Sequence, residues 1–388
     1  MKAEKFQIAV PQQQLLDLGT RLKNTRWPDE QRGSGWDNGT NLTYLKGLVN
    51  YWQRDYNWRT QETKLNKLSQ FKVNINGIGI HFIHERGKGT DPLPLILTHG
   101  WPDSFLRFEK IIPMLIDPAA YGADPMDSFD VVVPSIPGFG FSDKPETGGT
   151  IFHVHDLWAG LMTKVLGYKR FGAHGGDWGS IITEQLARSH SDLLVGIHLT
   201  DVPFTHMFQK PDDLSPAEQE YLAAMQKFQM AQGAYNMIQS TRPQTLGAGL
   251  HDSPTALAAW IIEKFQAWND NDGDMEKSFT KDELLNNIMI YWVTGNISSS
   301  FLPYYDVMNA GALTWIKEKL KEWTGSSKVP TAFAMFPKGS HPPREWAERF
   351  FNVQRWTQMK HGAHFTAMEE PGLLAEDIRA FFRTVRNK

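Results

Sequence analysis

Cysteine is absent from all 388 residues. That excludes disulfide stapling, thiolate zinc sites and a cysteine nucleophile at once, and leaves histidine and carboxylates as the only strong metal donors. Long apolar runs are missing too. No stretch of 18 apolar residues occurs, and the opening "MKAEKFQIAVPQQQ" lacks a signal-peptide core, so the expectation is a soluble cytoplasmic chain. A formal net charge of -3 without any long Lys/Arg run argues against nucleic acid or an anionic membrane as the main partner. Repeats and low-complexity tracts are also lacking. What is present is a 41% apolar, 12% aromatic composition with 14 Trp, 23 Phe and 10 Tyr. This suits a large core and an apolar ligand pocket, in a chain long enough for a catalytic domain plus accessory segments.

The apolar spacing changes along the chain. "QQQLLDLGTRLKN" and "NLTYLKGLVNYWQRDY" repeat at three and four residues, with "RGSGWDNGT" between them, so residues 1–68 are expected to form a helical extension. From Phe71 the period drops to two: "FKVNINGIGIHFIHE" reads as a hairpin turning at Asn76-Gly77. Apolar strands then alternate with helices through "PLILTHG", a helix from about Ser104 to Leu115, "FDVVVPSIPG", "HVHDLWAGLMTKVLG", "KRFGAHGG" and "LVGIHLTDVP". That rhythm predicts a mostly parallel eight-stranded sheet flanked by helices. Residues 69–203 form its first part, 204–325 a helical cap insertion, and 326–388 its second part, with "VPTAFAMFP", "FNVQRWTQMKHG" and the closing helix "PGLLAEDIRAFFRTV".

Within "FGAHGGDWGS" the pattern Gly175-x-Asp177-x-Gly179 places a carboxylate at a strand-to-helix elbow. Hydrolases with a G-x-S-x-G elbow carry a serine nucleophile there. An aspartate could simply cap the helix, but the flanking glycines favour a strained catalytic turn. His364, ahead of Pro371, is the candidate general base, with His361 competing. In "HGWP" the backbone N–H of Trp101, together with that of Trp178, is positioned for an oxyanion hole, while His99 reads as structural. Trp101, Pro102 and Trp178 are the expected pocket wall. The order elbow, helical insertion and late histidine matches the α/β-hydrolase fold.

"HGWPDSF", "PGFGFSDKP", "GGDWGS" and "HGAHFTAMEEP" together resemble the epoxide hydrolases. "RLKNTRWPD", "YLKGLVNYWQRDYNWR" and "FKVNINGIGIHFIHE" are similar to the N-terminal extension of the microsomal and juvenile-hormone type, without the membrane anchor of microsomal members. The resemblance implies that Asp177 attacks an epoxide carbon to form an alkyl ester, and that His364 activates the water that cleaves it. It implies two cap tyrosines as proton donors. In "GAYNMIQ" and "SSSFLPYYD" these are Tyr235 and Tyr304, with Tyr305 as alternative and aromatic packing as the plainer role. It implies no cofactor and no metal, a small apolar epoxide and water as partners, a role in detoxification, and a homodimer as one expected state.

The pattern breaks at the third triad member. The microsomal type places a glutamate in F-P-x-E, but here the segment is "FPKG", with Gly339 at the acid's place. Asp201 in "GIHLTDVP" is preferred over Glu345 and Glu348, by similarity to haloalkane dehalogenases that place the acid after this strand. Those enzymes supply the alternative activity, and a non-catalytic ligand-binding member of the fold a third. Trp260, Phe265, Trp268 and Trp292 are cap aromatics from which an apolar pocket could be drawn.

Overall fold

A computed structural model describes residues 2–146, 148–208, 211–308, 326–338 and 342–386. Its centre is one sheet of nine strands: β1 (Glu4–Lys5), β2 (Gln70–Ile75), β3 (Ile78–Glu85), β4 (Leu93–Thr98), β5 (Phe129–Pro134), β6 (Phe171–Gly175), β7 (Leu194–Leu199), β8 (Pro330–Met335) and β9 (Asn352–Gln358). They lie side by side in the order β1-β2-β3-β5-β4-β6-β7-β8-β9. The strands from β5 through β9 in that order run parallel, and β1, β2 and β3 add antiparallel edges. The ninth strand, beyond the eight expected, is the two-residue β1. It is too short to show period-two alternation.

Strands β5, β6 and β7 are buried at every position. Helices cover both of their faces, so their sequences are apolar runs rather than alternating ones. The β2–β3 hairpin turns at Asn76 and Gly77, at φ 53° and 89°. Both central residues being left-handed is what a two-residue hairpin turn demands, and Asn-Gly is the pair that tolerates it best. One expectation needs correction. Residues 104–115 do not form a single helix: a 3-10 turn at Phe105–Phe108 is followed by a short α-helix, Ile112–Ile116. Pro113 has no N–H to continue a helix from the preceding turn but fits the start of a new one.

The N-terminal segment supplies α1 (Gln12–Lys23), α2 (Leu42–Arg54) and α3 (Trp58–Leu65). Between β7 and β8 the described residues contain helices and no strand, the longest being Pro216–Gln232, Pro254–Ala267 and Lys281–Thr294. Ser215 with Glu218, and Thr280 with Glu283, close capping boxes at two of their starts. The N-terminal helices grip helix Lys281–Thr294 through side chains. Tyr51 and Gln61 donate to Asp282 at 2.9 Å each, and Tyr56 donates to Asn286 at 2.7 Å. That helix in turn touches the "HGWPDSF" loop: Asn287 donates to the Pro102 carbonyl at 2.8 Å and Tyr291 to the Asp103 carbonyl at 2.8 Å. No helix among the described residues is long and apolar enough to cross a membrane.

Candidate active site

Strand β6 ends at Gly175, and the helix Trp178–Ser189 begins three residues later. Asp177 between them has φ 58° and ψ -128°, a left-handed backbone that costs a non-glycine residue energy and is held here by its surroundings. Two glycines make the fit. A Cβ on Gly179 would stand 2.0 Å from the Thr98 carbonyl oxygen, so only glycine lets the helix start against the end of β4. A Cβ on Gly100 would stand 2.3 Å from Asp177 Oδ1, so only glycine lets the "HGWP" loop lie on the carboxylate.

That contact delivers hydrogen bonds. The Trp101 N–H donates to Asp177 Oδ1 at 2.8 Å, and the Trp178 N–H also favours the ionised carboxylate. The N–H of Asp177 itself donates to Asp201 Oδ2 at 2.9 Å. Burial nevertheless pushes the Asp177 carboxyl up to about 7, against the pull of the two amides.

His364 Nε2 lies 3.8 Å from Asp177 Oδ2. The two side chains are 24% and 19% exposed, but His364 Nε2 itself is buried and has no hydrogen-bond partner. The histidine loop is anchored at its backbone: the His364 N–H donates to the Trp268 carbonyl at 3.0 Å, and its carbonyl accepts from the Arg107 guanidinium. Arg107 is fully buried and ion-paired with buried Asp103, whose Oδ1 accepts the Gly100 N–H at 3.0 Å. Burial, and then the nearby Arg107 charge, push the imidazole down to about 3, while Asp103 pulls the other way. The imidazole is therefore neutral at neutral pH.

None of the acids suggested for this histidine makes a hydrogen bond or ion pair with it among the described residues. Among the described residues the only ion-pair partner of the His364 ring is Asp177. The Asp201 carboxylate, at the end of β7, is engaged with the elbow amide, and no hydrogen bond or ion pair joins it to His364. Glu345 accepts from the Ser215 hydroxyl and Glu348 pairs with Arg344, so both belong to a surface cluster elsewhere. Gly339 lies outside the described residues, and His361 is exposed. The charged groups that do flank His364 are Asp103 and Arg107, which the sequence reading left unassigned. The signal available was their spacing of four directly after "HGWP".

An aromatic wall faces the carboxylate. Tyr235 stacks on Trp101 at 5.3 Å with an interplanar angle of 6°. Tyr304 stands edge-on to Trp178 at 5.0 Å and to Trp101 at 5.9 Å. The two tyrosine rings are 5.9 Å apart. Burial, with the Asp177 charge among the lesser causes, raises both phenols above their ordinary range, so they stay protonated. Tyr305 is 39% exposed and stands apart from this group. Of the four cap aromatics, Trp268 joins the wall, 5.0 Å from Tyr235 and 5.2 Å from His364. Phe265 instead stacks on Phe365, Trp260 donates to Gln239, and Trp292 lies under Arg21. Lys264 was also missed. Its buried ammonium lies 4.7 Å over the Tyr235 ring and 5.4 Å over Trp268, paired with Glu263 at 2.6 Å. Trp260, Lys264 and Trp268 share a helix face at spacings of four, a pattern readable from sequence.

An elbow aspartate in a cradle of backbone N–H groups, faced by a neutral histidine and two protonated tyrosines, can be compared with known proteins. Residues 3–108 match the family model described as the epoxide hydrolase N terminus, and residues 94–289 match that of the alpha/beta hydrolase fold. A Stigmatella aurantiaca sequence carrying an epoxide hydrolase name is 43% identical over 387 residues, covering 99% of this chain and 85% of that one. The chain belongs to the epoxide hydrolase family. Epoxide hydrolase 1 of Sus scrofa is 36% identical, over 97% of this chain and 87% of its own length. The crystal structure of juvenile hormone epoxide hydrolase from Bombyx mori superposes with a TM-score of 0.84 at 28% identity, covering 99% of this chain and 94% of that chain. In this epoxide hydrolase, as in that structure, the fold is the α/β-hydrolase fold, here with nine strands.

Proposed function

We propose that this family member opens a small apolar epoxide to a vicinal diol through a covalent ester on Asp177. The observation that carries the reading is the two-sided environment of one carboxylate: amides and His364 on one side, Tyr235 and Tyr304 on the other. Oδ1 is tied to the Trp101 amide, which leaves Oδ2 to attack an epoxide carbon. The C–O bond of the ring breaks as the Oδ2–C bond forms, and the departing oxygen takes a proton from a tyrosine, whose neutral phenol is the donor available there. His364 Nε2 then takes a proton from water. The hydroxide adds to the Asp177 carboxyl carbon, Oδ1 carries the negative charge toward the Trp101 and Trp178 amides, and the bond from that carbon to Oδ2 breaks. The diol leaves with Oδ2, which takes the proton held by His364, and the proton of the newly formed Asp177 carboxyl group returns to the tyrosinate, so that imidazole, phenol and carboxylate are all restored.

Asp201 serves the elbow in this scheme by holding the Asp177 N–H, and Asp103 is the carboxylate whose charge favours the histidine cation. Residues 204–325 act as a cap that contributes Tyr235, Trp268 and Tyr304, and residues 1–68 as an extension that braces it. Trp101, Pro102 and Trp178 form the floor of the pocket. A cytoplasmic, detoxifying role and a homodimeric state belong to the same proposal and rest on the sequence reading alone.

The scheme is tested by oxygen tracing. A single turnover in ¹⁸O water, with enzyme in excess over styrene oxide, should place the label in the peptide that contains Asp177 and not in the diol. Label appearing directly in the diol would mean that water attacks the epoxide and no ester forms.

A further inference from the structure

We propose that His155, Asp156 and His190 form a binding site for a borderline transition-metal cation of the zinc class, distinct from the catalytic aspartate and tying together two helices of the core. The three residues come from the sequence "HVHD" at the start of the helix Val154–Gly160 and from the C-cap of the helix Trp178–Ser189. Their donor atoms all lie within 4.8 Å of one another. His190 Nε2 is 2.7 Å and His155 Nε2 3.5 Å from the same oxygen, Asp156 Oδ1. Bonds of about 2.0–2.1 Å at tetrahedral angles set neighbouring donors about 3.3 Å apart, a value these two distances straddle. His153 Nδ1 lies 3.9 Å from Asp156 Oδ2, on the same edge of the cluster.

A second observation concerns the far side of His155. This side chain is only 8% exposed; its Nδ1 and Gln185 Oε1 are both buried and neither makes a well-formed hydrogen bond, although the Gln185 side chain lies close enough to favour the imidazolium. A cation on Nε2 would fix the tautomer with its hydrogen on Nδ1, directed at the Gln185 amide oxygen. Ligating histidines are oriented in this way, by a carbonyl or carboxylate on the other ring nitrogen. Two imidazoles and a carboxylate are the donor set of three-ligand zinc sites, with the remaining position open to water or His153.

The place of the cluster assigns the metal a structural part. His190 caps the far end of the helix that begins after Asp177, which puts it about 20 Å away along a rise of 1.5 Å per residue. A cation bound there would pin the helix Val154–Gly160 to the helix that carries the elbow and raise stability by mass action.

The test uses the full-length chain without any histidine tag. After incubation with zinc sulfate and gel filtration, elemental analysis should find one zinc per chain, and the melting temperature should rise with zinc but not with the same concentration of magnesium. His190→Ala and Asp156→Asn should each lose the retained zinc and the zinc-dependent rise, with styrene oxide turnover unchanged in His190→Ala. His155→Gln tests the buried ligand, and a failure of that variant to fold leaves the variants at half-buried His190 and exposed Asp156 to decide. Absence of retained zinc in the wild type, or full retention in both His190→Ala and Asp156→Asn, overturns the proposal and leaves a hydrogen-bonded His–Asp–His cluster.

Discussion

The two walls around Asp177 are built from different materials. On the elbow side, backbone does the work: a left-handed aspartate, two glycines that admit close approach, and amides from Trp101 and Trp178 aimed at one carboxylate. On the other side the work falls to side chains packed edge to face: Tyr235, Tyr304, Trp268 and, behind them, the Lys264 ammonium. Backbone geometry of the first kind tolerates almost no substitution. Side-chain packing of the second kind can change chemistry in steps, which makes the aromatic wall the place where substrate choice can drift while the nucleophile stays.

Substitutions can break this comparison, and Asp177→Asn should have the largest effect. Turnover should fall by about 10⁴-fold or more, as when a nucleophile is removed from a catalytic unit. Stability should move the other way. Because burial raises the folded-state carboxyl to about 7, the folded chain holds a proton that the unfolded chain has lost between about pH 4 and 7, so ionised Asp177 opposes folding above that window. Urea titration at pH 8 should show the variant more stable by about 1–4 kcal/mol, the larger figure being the full rise of roughly three pH units at about 1.4 kcal/mol per unit. A variant as inactive as expected but no more stable would mean that the carboxylate is better solvated than its burial implies.

On the aromatic side, Tyr304→Phe and Tyr235→Phe should each slow ester formation by about 10²-fold, at the lower end of what general acid catalysis contributes. Stopped-flow tryptophan fluorescence separates this step from hydrolysis of the ester, which should keep its rate. Slowing of both steps alike would assign the tyrosines to packing. The pH dependence divides the walls again. Below pH 7, kcat/KM should fall about tenfold per unit as Asp177 takes up its proton, while His364, neutral above about pH 3, adds no limb of its own.

Smaller effects sharpen the assignment. Asp201→Asn retains an acceptor for the Asp177 N–H, so turnover should drop less than about tenfold. A loss near 10⁴-fold, as for the aspartate that orients a triad histidine, would return Asp201 to that role. Lys264→Met should slow ester formation by roughly threefold to tenfold, the worth of a desolvated cation over an aromatic face, and leave ester hydrolysis untouched. An unchanged rate would make Lys264 a packing residue.

How much of this was legible beforehand differs by element. The β2–β3 hairpin follows from Asn76-Gly77 because few residue pairs accept two left-handed conformations in a row. The elbow is legible as Gly175-x-Asp177-x-Gly179, although what requires Gly179 is the Thr98 carbonyl, 81 positions away in the chain. The single helix expected over 104–115 failed because apolar spacing outweighed Pro113 in the reading, while the backbone obeys the missing N–H. Which cap aromatics face the site was not legible at all. Phe265 lies in the last turn of its helix and Trp268 caps its end, yet one stacks on Phe365 and the other meets His364, a matter of how the helix end is set against the core.

By itself the sequence determined the strand-and-helix alternation, the strained aspartate turn and the presence of a late histidine, because each is carried by a pattern of residues near in the chain. Only the tertiary structure decided what surrounds them. It brought Trp101 to Asp177 across 76 positions and placed Arg107 against the His364 carbonyl across 257, and it turned Asp201 toward the elbow amide rather than toward the histidine. Carboxylates at neighbouring strand ends are equivalent in sequence. Which one reaches the imidazole is set by a few ångströms of loop path, and that is fixed only when the whole sheet is assembled.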